Sequence, residues 1–191
     1  MTVRPIAQIG HPILRTRARE VTHEELLSAP MQTFIDDLIE TMHHANGAGL
    51  AAIQIYGPVR ICAIEVRDNP RYPYKPNIPL TVLVNPVLTP LDEETFDNYE
   101  GCLSVPNIRG VVRRNARIRV QAWDRLGNVI DTEARGLRAC TFQHEVDHLD
   151  GVIFVDRVTD PKTLSTWTEF EAHHKAAFVE RVLALVAKHG E

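Results

Sequence analysis

The sequence predicts an α+β protein built on antiparallel β-sheets, and three observations carry the prediction. Strand-like runs are short and joined by turn signals, most clearly Ala116 to Trp123, the turn Arg125-Leu126-Gly127-Asn128, and Val129 to Ala134. Helical periodicity is confined to two or three separate stretches instead of alternating with the strands, so βαβ crossovers are not expected. No repeat, low-complexity segment or shift of composition divides the chain, so its 191 residues suit one domain, 1–191, able to bury a core without disulfides or a structural metal.

Residues 1–20 are polar and interrupted by Pro5, Gly10 and Pro12, as expected of an extended arm laid over the domain. Pro30 opens a helix in which Met31, Phe34, Ile35, Leu38, Ile39 and Met42 recur at steps of three and four, with Asp36, Asp37 and Glu40 outside. Asn46-Gly47 ends it. His43 and His44 lie in its last turn, where the helix dipole favours a partly positive imidazole, a surface role ahead of a metal-binding one. Gly47-Ala48-Gly49-Leu50-Ala51-Ala52-Ile53-Gln54 follows. Its glycines permit close approach by a strand or a ligand, and Gln54 is the sort of neutral amide that can hold a developing oxyanion.

Arg60 to Val66 is an apolar strand with Cys62 as a core residue. Asp68 to Pro79, with its four prolines, is a loop. Leu80 to Asn85 and Val87 to Thr89 resume strand composition around Pro86. From Ala116 to Trp123, Ile118, Val120 and Ala122 take one face and Arg117, Arg119, Gln121 and Trp123 the other. A helix from Leu137 to a stop at Asp150-Gly151 comes next. Val152 to Val155 is expected to form a short strand, and Pro161 to begin one final helix with Leu164, Trp167, Phe170, His174, Phe178 and Leu185 near one stripe, packed outside the sheets.

A hydrophobic share of 44% and a charged share of 24% are ordinary for a globular protein. The net charge of -4 gives no basic footprint, so direct nucleic-acid binding is not expected. Cys62, Cys102 and Cys140 are odd in number and widely spaced, which argues against a disulfide framework and for a reducing compartment. The first residues lack the apolar core of a signal peptide, and no stretch is long enough to span a bilayer. The expected location is the cytoplasm; an organellar form whose transit segment had been removed would look the same.

Chemistry concentrates in Gln143-His144-Glu145-Val146-Asp147-His148. On a helix His144 and His148 leave one face a turn apart and can close on one metal ion, while Glu145 stands beside it without being a ligand, placed to take a proton from water. Leu137, Cys140 and Thr141 share that stripe, so both imidazoles point inward, where without a metal or other partners they would carry a desolvation cost. A hydrolytic metal usually has three protein ligands. Leu149-Asp150-Gly151-Val152-Ile153, just after His148, supplies no third histidine, and the best candidate is Cys102 in Glu100-Gly101-Cys102-Leu103-Ser104, although a lone cysteine is more often a small buried hydrophobe.

Three motifs in order, Gly47 to Gln54, Glu100 to Ser104 and Gln143 to His148, resemble the signature of the peptide deformylase family, and the likeness extends over most of the chain. The resemblance implies antiparallel sheets surrounding the helix that carries the two histidines, with an N-terminal and a C-terminal helix. It also implies Cys102, His144 and His148 as metal ligands, Glu145 as general acid/base, and the Gln54 amide and Leu103 N–H as oxyanion stabilisers. Gly49 would hold the substrate in an extended pose, and Ala48, Leu103, Thr141 and His144 would wall the methionine pocket. Ala48 and Asn107 stand where many members carry a larger residue and a glycine. The implied reaction removes formate from the N-formyl-methionine end of nascent polypeptides, with one divalent metal per chain, Fe(II) first, or Zn(II), Ni(II) or Co(II). A ribosome contact through the C-terminal helix is implied by analogy only. Two rival functions are a metallopeptidase, disfavoured by the cysteine ligand, and a structural or binding metal protein, disfavoured by the free carboxylate of Glu145.

Overall fold

The computed structural model describes residues 2–67 and 74–190. A short helix, α1 (His23–Leu27), and a long one, α2 (Ala29–His44), precede β1 (Gly49–Ala51), β2 (Ile61–Val66), β3 (Ile78–Pro90), β4 (Thr95–Cys102), β5 (Val105–Asn115), β6 (Arg117–Trp123) and β7 (Val129–Arg135). After them come α3 (Gly136–Leu149), β8 (Ser165–Thr166), α4 (Trp167–His173) and α5 (Lys175–His189). The strands form an antiparallel five-stranded sheet, β1-β2-β3-β6-β7, and an antiparallel three-stranded sheet, β4-β5-β8. The α+β architecture is as expected.

Strand periodicity explains how the large sheet takes helices on both faces. In β2, Cys62, Ile64 and Val66 join the core that holds Ala139, Phe142 and Leu149 of α3. The alternate residues Ile61 and Ala63 join Ile35, Leu38 and Met42 of α2 on the other face. The three-stranded sheet adds Val105 and Val112 to a further cluster with Phe154, while Phe170, Phe178 and Val182 of the C-terminal helices cover Leu137 at the start of α3. Buried on nearly every side, α3 has no exposed residue. Asp150 caps it, and Gly151 turns the chain away at φ +75°, where an added Cβ would press on the Arg15 carbonyl.

The N-terminal arm does lie over the body: the Ala7 N–H donates to the Gln54 carbonyl at 2.8 Å and the Ile9 N–H to the Ser104 carbonyl at 2.7 Å. Three expectations need correction. Val152 to Val155 is not a strand; the Ile153 N–H is taken by the Asp156 carboxylate at 2.9 Å, which winds Phe154–Arg157 into a 3₁₀ turn. The final helix is not continuous from Pro161: a turn, β8, α4 and α5 replace it, because Ser165 and Thr166 pair with β5 and the chain leaves helical geometry at His174. The runs flanking Pro86 belong to one strand, β3, whose register shifts between Val84 and Val87 with Asn85 at φ +52°. Of the Asp68 to Pro79 loop, Asp68 to Pro73 fall outside the described residues, and 74–77 are irregular as expected, but Ile78 and Pro79 already belong to β3, where Ile78 pairs with Val66.

Candidate metal centre and active site

Cys102 is the last residue of β4, where the pairing with β5 changes register after Gly101. That irregularity turns its sulfur toward α3 instead of continuing the ladder. His144 and His148, four apart on α3, bring their rings to 5.0 Å between centroids at 81°. Donor atoms of Cys102, His144 and His148 all lie within 4.8 Å of one another, and Cys102 Sγ is 3.2 Å from His148 Nε2. A thiolate with two imidazoles at this spacing fits one divalent cation of borderline softness.

Electrostatics prepare the sulfur. Burial opposes its ionisation, but the adjacent His148 and His144 outweigh burial and hold the Cys102 thiol well below the usual range. The sulfur also accepts from the Ser104 N–H at 3.4 Å and from Gln54 Nε2 at 3.5 Å. His144 Nδ1 is 2.8 Å from Glu100 Oε2, which leaves Nε2 to face the cluster. Behind it, Glu100 accepts from Arg114 Nε at 2.7 Å and Nη2 at 2.9 Å, and Arg114 Nη1 reaches Asp147 at 2.6 Å. Arg157 closes the network on Asp147 at 2.5 Å. Asp147 is therefore a buried link in an ion-pair chain, not a solvated helix residue. Motif reading included Glu100 without giving it a role and overlooked Arg114 and Arg157; the signal available was that Glu100 stands two residues before Cys102 on the same strand, hence on the same face.

Glu145 is 4% exposed, and its Oε2 has no hydrogen-bond partner among the described residues. Burial pushes its carboxyl up, against the pull of His144 and His148, as suits a proton acceptor working near neutrality. Gly49 packs against this carboxylate so closely that any Cβ would collide with it. Gly49→Ala is thus expected to displace Glu145 and lower kcat/KM by about a hundredfold with little change in metal content; kinetics and metal analysis on the same sample check it, and unchanged kinetics would refute the packing argument.

Gln54, in the 3₁₀ turn Ala52–Ile55, is locked by its Oε1 accepting from the Ala51 N–H at 2.8 Å, while its Nε2 donates to Ser104 Oγ at 3.0 Å. Ala48, Gly49, Gln54, Cys102, Leu103, Thr141, His144 and Glu145 all line one cavity of about 400 Å³, so the site residues expected from sequence converge except that His148 lies beneath its wall. Lys75, Tyr74, Trp167 and Phe178 also line it and were not anticipated. β1 and β4 are edge strands of their sheets and border the cavity, which leaves backbone edges beside the cluster. His43 instead pairs with Glu65 at 2.5 Å on the surface, as its helix-end position implied.

Among buried Cys/His clusters with a free carboxylate alongside, the class defined is a metal-dependent hydrolase. Comparison with known proteins narrows it. The family model described as polypeptide deformylase matches residues 3–164. Peptide deformylase 2 of Nostoc sp. is 44% identical over 167 residues, covering 87% of this chain and 91% of that protein. Peptide deformylase 1 of Nitrosomonas europaea is 40% identical, covering 83% and 89%. Among solved structures, a Met-Ala-Ser-bound class I type b peptide deformylase from Acinetobacter baumannii superposes with a TM-score of 0.79 at 39% identity, covering 82% of this chain and 99% of that one. A peptide deformylase from Legionella pneumophila gives 0.73 at 32%, covering 96% and 98%. The chain belongs to the polypeptide deformylase family. It is a hydrolase that removes the N-formyl group from nascent polypeptides, and its Cys/His/His cluster supports a single metal ion.

Proposed function

We propose that residues 1–191 act as one deformylase domain in which Cys102, His144 and His148 hold the metal and Glu145 moves the protons. The supporting observation is the convergence of three soft and borderline donors within 4.8 Å beside a buried carboxylate oxygen that has no partner among the described residues. When bound, the cation would supply the Lewis acidity that makes water a nucleophile near neutral pH. Glu145 accepts a proton from the attacking water as its oxygen bonds to the formyl carbon. Negative charge gathers on the formyl oxygen, where the Leu103 N–H and Gln54 Nε2 receive it; Gln54 yields its long 3.5 Å contact with Cys102 and keeps its bond to Ser104. Glu145 then returns the proton to the departing amine, the C–N bond breaks, and formate leaves.

The substrate is the N-formyl-methionine end of a new chain, with Ala48, Leu103, Thr141 and His144 around the methionine and Gly49, on the edge strand β1, pairing with the extended backbone. The solved relative that holds Met-Ala-Ser supports a tripeptide product of this kind. Gln54→Ala is expected to lower kcat by about 10²–10³-fold while metal content stays constant; an unaltered kcat would remove Gln54 from the oxyanion site.

Fe(II) is the native ion in this reading, and Zn(II), Ni(II) or Co(II) can occupy the same donors. We place the reaction in the cytoplasm, or in an organelle that makes formylated chains; no helix among the described residues is long and apolar enough to cross a membrane. Contact with the ribosome through α5 is supported only by its outward Arg181 and Leu183, both exposed. Co-sedimentation with ribosomes, weakened by Arg181→Glu, would support it.

A further inference from the structure

Part of the cavity wall comes from beyond the three motifs and beyond the segment matched by the family model, which ends at residue 164. β8 pairs with β5 so that Ser165 lies opposite Arg109 and Thr166 opposite Ile108, delivering the next residue, Trp167, to the cavity. Its ring is half-buried and covers the Arg109 guanidinium, whose carbon lies 3.9 Å from the ring centroid; Phe170 stands on the same cation at 5.0 Å. The Trp167 backbone N–H also donates to Asn107 Oδ1 at 3.2 Å. Asn107 has φ +59°, a conformation that glycine and asparagine tolerate best, so the asparagine keeps a glycine-like backbone and adds an anchor for α4.

A cavity of about 400 Å³ exceeds what one methionine side chain fills and lies in the range of sites that hold several groups. An indole fixed on a guanidinium at its wall offers a rigid apolar surface at small entropic cost. We propose that Trp167 is a specificity-determining residue that contacts the peptide beyond the methionine, favouring substrates with an apolar second or third residue, an inference that rests on the deformylase reading of the site. Asn107 is the positioning residue that sets the indole there.

The test compares formyl-Met-Ala-Ser with formyl-methioninamide, which lacks the following residues. Trp167→Ala is expected to raise KM for the tripeptide about three- to tenfold with kcat nearly unchanged, and to leave both constants for the amide alone. Asn107→Gly, which keeps the backbone conformation, should give a smaller effect of the same pattern. A proportional loss on both substrates, or none on either, overturns the proposal. A second readout does not need turnover: the chain has 2 tryptophans, and only Trp167 lines the cavity. Titrating Met-Ala-Ser into metal-loaded protein should change tryptophan fluorescence in the wild type and in Trp123→Phe, but not in Trp167→Phe. A change that survives Trp167→Phe counts against the contact. Absence of formate from either substrate would end the deformylase reading, while the titration would still decide this one.

Discussion

Glu145→Gln is expected to cut formate release by about 10²–10⁴-fold while the protein still binds one metal per chain. The substitution preserves shape and removes the carboxylate proposed to carry a proton from water to the departing amine. Glu145 contributes no atom to the Cys102, His144 and His148 cluster, so metal content should hold. Its surroundings make the carboxylate costly: it is buried, one oxygen has no partner among the described residues, and burial raises its proton affinity. The neutral amide avoids that desolvation cost, so the variant should be at least as stable as the wild type. Formate assay, metal analysis and thermal melting on one preparation separate the outcomes. Loss of metal along with activity would mean that Glu145 is a ligand or holds one in place, contrary to the role assigned to it.

Arg114→Met is expected to lower stability by roughly 3–5 kcal/mol, a fall in Tm of roughly 6–20 °C for a chain of this size. Arg114 and Glu100 side chains are each 3% exposed, and Arg114 supplies two of the hydrogen bonds that keep Glu100 ionised. Burial opposes the charge on Glu100, and Arg114, followed by His144, holds the carboxyl well below its ordinary range. Without the guanidinium the buried Glu100 carboxylate keeps contacts with His144 and Cys140 but loses its cationic partner, whereas Asp147 retains Arg157. Because Glu100 also orients His144, metal affinity should drop about 10–100-fold. Replacing Glu100 by Gln in the same chain should recover part of the stability but not the metal affinity. A variant that melts like the wild type would show that the network contributes little.

The site was legible in the sequence because its chemistry is compressed into short fixed spacings. His144, Glu145 and His148 lie within five consecutive positions of one helix, and Cys102 ends strand β4 just after Gly101, where the register shifts. Strand alternation likewise placed Ile118, Val120 and Ala122 on the buried face of β6. What escaped depends on partners distant in sequence. Arg114 reads as one more polar residue of a strand until β5 brings it between Glu100 and Asp147, and Trp167 reads as part of a helical stripe until β8 pairs with β5 and swings it to the cavity. The single long terminal helix failed for the same reason: an i, i+3 pattern from Leu164 onward cannot reveal that Ser165 and Thr166 find strand partners at Ile108 and Arg109. Val152 to Val155 was apolar enough for a strand, but the Asp156 carboxylate takes the Ile153 N–H that a ladder would need.

The most direct test of the account is formate release from formyl-Met-Ala-Ser by protein purified without oxygen, with metal content determined on the same sample. The account predicts formate production with about one metal per chain and its loss in Cys102→Ser together with the metal. Folded, metal-loaded protein that releases no formate, or that cleaves the peptide at an internal bond, would contradict it.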